Sequence, residues 1–172
     1  TILLAGKKAL ILGYGEIAKR VGRILAGLDV EVDFIRRTAA GNEEGIYLPS
    51  DLEGLLPGTD FLILALPLTE ETEGWIGEEQ LRLLPPSAVL VNVARGKIID
   101  EAALFKALSE EWIFGAGLDV WFNYPGKREL RSNTPPGDYP WHTLENLVLS
   151  PHRGALVRET EILRMRHLAE LL

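Results

Sequence analysis

The chain has 172 residues, enough for one domain with a sizeable core, and 47% of them are apolar against 25% charged. Its net charge of -7 and isoelectric point near 5.0 oppose broad contact with nucleic acid, and no apolar run reaches the ~20 residues that span a bilayer. No cysteine is present, which excludes disulfides and thiolate chemistry. No secretory signal is read at the start, so a cytoplasmic protein without nucleic-acid or membrane partners, and without a metal site, is expected.

In chain order, Lys8 to Leu12 reads as a short buried strand ending at Gly13. Ile17, Val21, Ile24 and Leu28 recur at helical spacing and predict an amphipathic helix closed at Asp29. Val30 to Ile35 is a second strand. Ser50 with Glu53 predicts a capping box on a short helix that stops before Pro57-Gly58. Phe61 to Leu66 is an apolar strand halted by Pro67. Glu78 to Leu84 is helical up to Pro85-Pro86, and Ala88 to Asn92 is the next strand. Asp100 caps a helix through Ala103, Leu104, Ala107 and Leu108. Ala116 to Asp119 and Leu147 to Leu149 complete the strands, and Ile162, Met165, Ala169 and Leu172 predict a terminal helix. Trp121 to Glu145 shows no periodicity; so long a loop is functional or disordered.

Strands and helices alternate, and the strands are apolar throughout. That pattern predicts an α/β fold, a doubly wound parallel sheet covered on both faces, with ligands at the carboxyl ends of the strands. The turn Gly13-Tyr14-Gly15-Glu16-Ile17-Ala18 lies between a predicted strand and a predicted helix. There two glycines let the backbone approach a pyrophosphate, and the helix N-terminus meets its charge. In that setting the turn reads as an NAD(P)-binding Rossmann signature, the alternative being a glycine-rich turn with no ligand. The second strand ends in Arg36, Arg37 and Thr38 where an acid would bind the ribose of NAD. Arginines suit a 2′-phosphate, so NADP is the preferred cofactor, with NAD the alternative if the pair is only a solvated strand end. Asp33 lies too early on the strand to replace the acid.

Beyond that turn, the blocks GYGEIA, LPLTEET (66–72), LVNVARGKIIDEAAL (90–104), GAGLDV (115–120) and LVLSPHRGA (147–155) agree in order and spacing with one family. From Gly6 to Ala155 the chain resembles the nucleotide-binding domain of the D-isomer-specific 2-hydroxyacid dehydrogenases. The resemblance implies a single dinucleotide-binding domain over 1–172, cut from a longer protein whose substrate domain is absent here. It implies reversible hydride transfer between a nicotinamide and C2 of a small 2-oxo or 2-hydroxy acid, of the glyoxylate or hydroxypyruvate reductase type. A homodimer is also implied.

By the same resemblance Arg95 grips the substrate carboxylate, as a guanidinium fork can, and Val93, Ala94 and Arg95 lie along the nicotinamide. Asp119 holds the carboxamide, or else caps a turn. Leu66, Pro67 and Thr72 flank the cofactor, and His152 and Gly154 close over it. His152 is the general acid and base. The family has a glutamate, just before a proline, five residues after the aspartate of the LDV block; this chain has Tyr124. Tyr124 serves as a neutral partner to His152, or Glu129 or Asp138 substitutes for it, or the chemistry is lost. In the last case the alternative is a non-enzymatic NAD(P)-binding sensor or regulator.

Overall fold

The computed structural model describes residues 3–38, 43–130, 132–154 and 157–170. Ala155 and Leu172, named above, lie outside them. Among the described residues seven strands form one parallel sheet: β1 (Lys8–Leu12), β2 (Glu31–Ile35), β3 (Ile46–Tyr47), β4 (Phe61–Leu64), β5 (Val89–Asn92), β6 (Gly115–Leu118) and β7 (Leu147–Leu149). Their order is β3-β2-β1-β4-β5-β6-β7, so the sheet grows outward in one direction from β1 to β3 and in the other from β4 to β7. This is the doubly wound Rossmann arrangement, whose crevice opens at that reversal. β3 had no counterpart in the sequence reading; it is a two-residue strand paired with Phe34 and Ile35.

The helices are α1 (Glu16–Ala26), α2 (Leu52–Leu55), α3 (Glu78–Leu83), α4 (Glu101–Ser109) and α5 (Arg158–Glu170). Successive strand residues point to opposite faces, and two cores result. Leu10, Leu12, Leu62, Leu64 and Leu90 face α2, α3 and α4, with Ile76, Leu81, Leu104 and Trp141 in the same cluster. Ile11 and Ile63 face Ala18, Val21 and Leu25 of α1. Asp100 caps α4 as expected, its carboxylate accepting from the Ala103 N–H at 2.7 Å.

Three expectations need correction. The buried stripe of α1 is Ala18 and Gly22, small enough to sit on the sheet, while Ile17, Ile24 and Leu28 are exposed. Ser50 does not cap; Asp51 accepts from the Leu48 N–H at 2.8 Å, and a 3-10 turn over Pro49–Asp51 leads into α2. The second face is only partly covered, because Val148 on β7 stays 72% exposed. The terminal helix forms, with Ile162 and Met165 exposed. The irregular 121–145 segment is fastened at its far end. Trp141, 2% exposed, stacks on Phe122, and Glu101 accepts from the Trp141 indole at 3.2 Å and the Asp138 N–H at 2.6 Å.

Candidate functional site

A cleft of about 650 Å³ opens at the carboxyl ends of β1, β2 and β4, lined by Gly13, Tyr14, Arg36, Arg37, Leu66, Pro67 and Thr72 among others. The turn after β1 dictates its floor. Gly13 has φ +118, and a β-carbon there would strike the Ala65 carbonyl, so only glycine fits. A β-carbon on Gly15 would meet nothing within 4 Å, so the space over the start of α1 is free of protein. Glu16 opens that helix, and Ile17 beside it is exposed. Together a bare turn and a helix N-terminus form a cradle that fits a pyrophosphate.

The rim is cationic. Arg36 lies 5.2 Å from the Tyr14 ring centroid and Lys19 lies 4.6 Å from it; Lys19, Trp75 and Pro49 were missed from sequence. Arg37 lines the cleft, whereas Thr38 is exposed and does not line it. Asp33 is buried mid-strand and paired with Lys8 at 2.8 Å, away from the cleft. Thr72 fixes the opposite wall, donating to the Pro67 carbonyl at 2.9 Å and accepting from the Thr69 N–H at 2.8 Å.

A second pocket, about 300 Å³, is lined by Leu68, Arg95, Gly96, Lys97, Trp121, Phe122, Tyr124 and His152. Three residues expected at the reacting centre therefore converge from separate parts of the chain. Arg95 follows β5 through Val93, which is exposed, and Ala94, which is buried. The turn is tied by Asn92, fully buried, whose amide donates to the Arg95 carbonyl at 2.9 Å and accepts from the Ala94 N–H at 3.0 Å. Asn92 was read only as a strand end. Gly96 sits against the Trp121 backbone, where a β-carbon would clash with the carbonyl. Arg95 itself donates to the Ala94 carbonyl at 2.6 Å.

His152 stands in the left-handed region at φ 53, a conformation that costs a non-glycine residue about 1 kcal/mol or more. Asp119, at the end of β6, holds the loop that imposes it. Its carboxylate accepts from the Ser150 hydroxyl at 2.5 Å, the Arg153 N–H at 2.9 Å and the Gly154 N–H at 3.0 Å. Tyr124 is the group that meets the imidazole. Its hydroxyl lies 2.9 Å from His152 Nδ1 and accepts from the Trp121 N–H at 3.0 Å. Asp138 instead accepts from the Asn123 amide at 2.9 Å, and Glu129 does not line the pocket.

Burial alone would push Asp119 up, but the Ser150 hydroxyl, the two backbone donors and the neighbouring His152 outweigh it and hold the carboxyl below its ordinary value. A depressed carboxylate stabilises the fold above its unfolded-state value of about 3.9 and loses that contribution as pH falls through the folded one. The Arg153 and Gly154 amide resonances are therefore expected to hold steady down to about pH 4 and to move below it. In Asp119→Asn they should be displaced at every pH. Resonances that stay constant through the acid range would refute this anchoring.

Residues 1–154 match the family described as D-isomer specific 2-hydroxyacid dehydrogenase, NAD binding domain. A glyoxylate reductase from Korarchaeum cryptofilum (strain OPF8) is 45% identical over 159 residues, 90% of this chain and 45% of that protein. The chain thus spans less than half the length of that curated relative. Among solved structures, an acyclic imino acid reductase in complex with NADPH and D-Arg is 30% identical, with a TM-score of 0.83 over 98% of this chain and 50% of that one. A D-isomer specific 2-hydroxyacid dehydrogenase from Lactobacillus delbrueckii ssp. bulgaricus, in its NAD complexed form, is 27% identical, with a TM-score of 0.78 over 98% of this chain and 56% of that one.

Proposed function

This chain belongs to the D-isomer specific 2-hydroxyacid dehydrogenases as their NAD-binding domain, and from that premise we propose that it is the coenzyme domain of an NADP(H)-preferring 2-oxo acid reductase. Glyoxylate and hydroxypyruvate are the substrates proposed, in a reversible reaction. The observation that carries the reading is the meeting of Arg95, Tyr124 and His152 in one pocket beside the dinucleotide cleft. NADP(H), when bound, supplies or receives the hydride at C2. Gly13, Tyr14, Gly15, Glu16 and Ile17 would hold its pyrophosphate, and Val93, Ala94, Asp119 and Gly154 its nicotinamide end. Arg36 and Arg37 would take the 2′-phosphate, while Leu66, Pro67 and Thr72 flank the cofactor.

Within the pocket, Arg95 offers a two-point grip to a carboxylate. His152 gives a proton to the carbonyl oxygen in reduction and takes it back in oxidation. Tyr124 orients the ring: its hydroxyl can donate to Nδ1 or accept from it, so either ring nitrogen can carry the proton. A pure sensor would need neither Arg95 nor His152, and the relatives reported above are named for reductase or dehydrogenase activity.

The rest of the substrate pocket is proposed to come from a further domain of a longer protein. The uncovered face at Val148, the exposed Ile17 and Ile24 of α1 and Leu28 just after it support additional chain or a second copy packing here, in keeping with a homodimer. Among the described residues no helix is long and apolar enough to cross a membrane, and a cytoplasmic setting is proposed.

Paired titrations with NADPH and NADH test the cofactor assignment. A preference for NADPH of roughly tenfold, about 1.4 kcal/mol, is expected, and Arg36→Ala with Arg37→Ala should abolish it. Equal affinities in the unaltered protein would make the two arginines ordinary surface charge.

A further inference from the structure

Tyr124 reaches His152 from an irregular segment, and on the reductase reading its hydroxyl orients the reacting ring. Its side chain is 48% exposed, and Pro125 and Gly126 follow it. Among the described residues beyond them, Leu130 donates its N–H to the Lys127 carbonyl, and Asn133 and Thr134 donate to the Leu130 carbonyl. That stretch is tied to itself, so the placing of Tyr124 falls to the residues before it.

Those residues are well held. Phe122 and Asn123 both donate their backbone N–H to the Pro136 carbonyl, at 3.1 and 3.0 Å. The Asn123 side-chain amide donates to Asp138 at 2.9 Å, and Phe122 stacks on Trp141 with centroids 5.5 Å apart. The 136–141 stretch is tied in turn to α4, where Glu101 accepts from the Asp138 N–H at 2.6 Å and the Trp141 indole at 3.2 Å. A β-carbon on Gly137 would strike the Glu101 carboxylate and the Trp141 indole, so the join is close. Glu101 directly follows the Asp100 cap, so the chain that carries Arg95 also braces the chain that carries Tyr124.

We propose that Asn123 and Asp138 are positioning residues for the reduction: anchored through Glu101, they set the backbone entering Tyr124 and with it the approach of its hydroxyl to the His152 ring. Asp138 serves here as a hydrogen-bond acceptor rather than as a charge facing the imidazole. The brace works whichever of the hydroxyl and Nδ1 donates. Neither Asn123, Asp138 nor Glu101 lines either pocket, so their effect reaches the substrate through Tyr124.

The test uses the full-length protein with NADPH and glyoxylate. Asn123→Ala is expected to lower kcat by roughly 10- to 10²-fold, the cost of a reacting group displaced by up to ~1 Å, while NADPH affinity holds within a factor of about two. Asp138→Ala should lose as much, and the conservative Asp138→Asn, which keeps an acceptor for Asn123, should restore most of it. The Asn123–Asp138 bond is exposed, and urea unfolding checks that each variant folds. In a Tyr124→Phe background, Asn123→Ala should cost no more than about twofold, because the group it places is already gone. Losses that add in full, or an Asp138→Asn enzyme as impaired as Asp138→Ala, would overturn the proposal. Independently of turnover, the His152 ring resonances should move in Asn123→Ala as they do in Tyr124→Phe, and resonances that stay in place would overturn it as well. An unaltered protein that binds NADPH but reduces neither glyoxylate nor hydroxypyruvate would overturn the reductase reading, and the resonances would then decide the brace by themselves.

Discussion

In the full-length protein, His152→Asn is expected to lower kcat by about 10²–10⁴-fold, the usual worth of a positioned acid or base, while NADPH affinity stays within a factor of about two. The split follows from the geometry. His152 lines the small pocket with Arg95 and Tyr124, whereas the large cleft is built from Gly13, Tyr14, Arg36 and Arg37. Arg95→Lys should behave differently. Lysine keeps the charge but loses the planar fork, so KM for the acid rises and kcat falls with it. Steady-state kinetics beside fluorescence titration of NADPH checks both. A His152→Asn enzyme that keeps its kcat would remove His152 from the chemistry, and loss of cofactor binding in step with kcat would make it a structural residue.

What the sequence discloses divides by range. β1 with its turn, β5 leading to Arg95 and β7 leading to His152 are local: an apolar run, then residues whose chemistry stands out. Those strands appear within a residue or two of their expected bounds. β3 was illegible because two residues carry no period, and only pairing with Phe34 and Ile35 makes them a strand. The α1 stripe misled for a related reason. Helical spacing shows which residues share a face, and Ile17 and Ile24 do, but the sheet accepted the smaller Ala18 and Gly22 instead.

The site was half legible in the same sense. Tyr124 stood out by its place in a block, yet its bond to His152 spans 28 positions. It also requires the left-handed turn that Asp119 holds from more than 30 positions away. No pattern in 121–145 announces that Glu101 and Trp141 would fasten that segment.

Asn92 is the residue where fold and chemistry are hardest to separate, which makes its substitution informative. The side chain is fully buried and spends both ends on the turn carrying Arg95. Asn92→Ala leaves the Ala94 N–H and the Arg95 carbonyl without those partners, at about 1–3 kcal/mol for each group left unsatisfied. Asn92→Asp keeps an acceptor for Ala94 but sets a carboxylate oxygen against the Arg95 carbonyl, and buries a charge as well. Both variants should unfold at lower urea, Asn92→Asp lowest. Displacing the Arg95 turn by as little as ~1 Å is worth about 10² in kcat/KM, so turnover of the acid substrate should fall by that much in the folded fraction. NADPH affinity should change far less, because Asn92 does not line the large cleft. Equal losses of NADPH affinity and kcat/KM would mean that the β5 turn supports the whole crevice. A kcat/KM unchanged in the folded protein would mean that Arg95 finds its place without it.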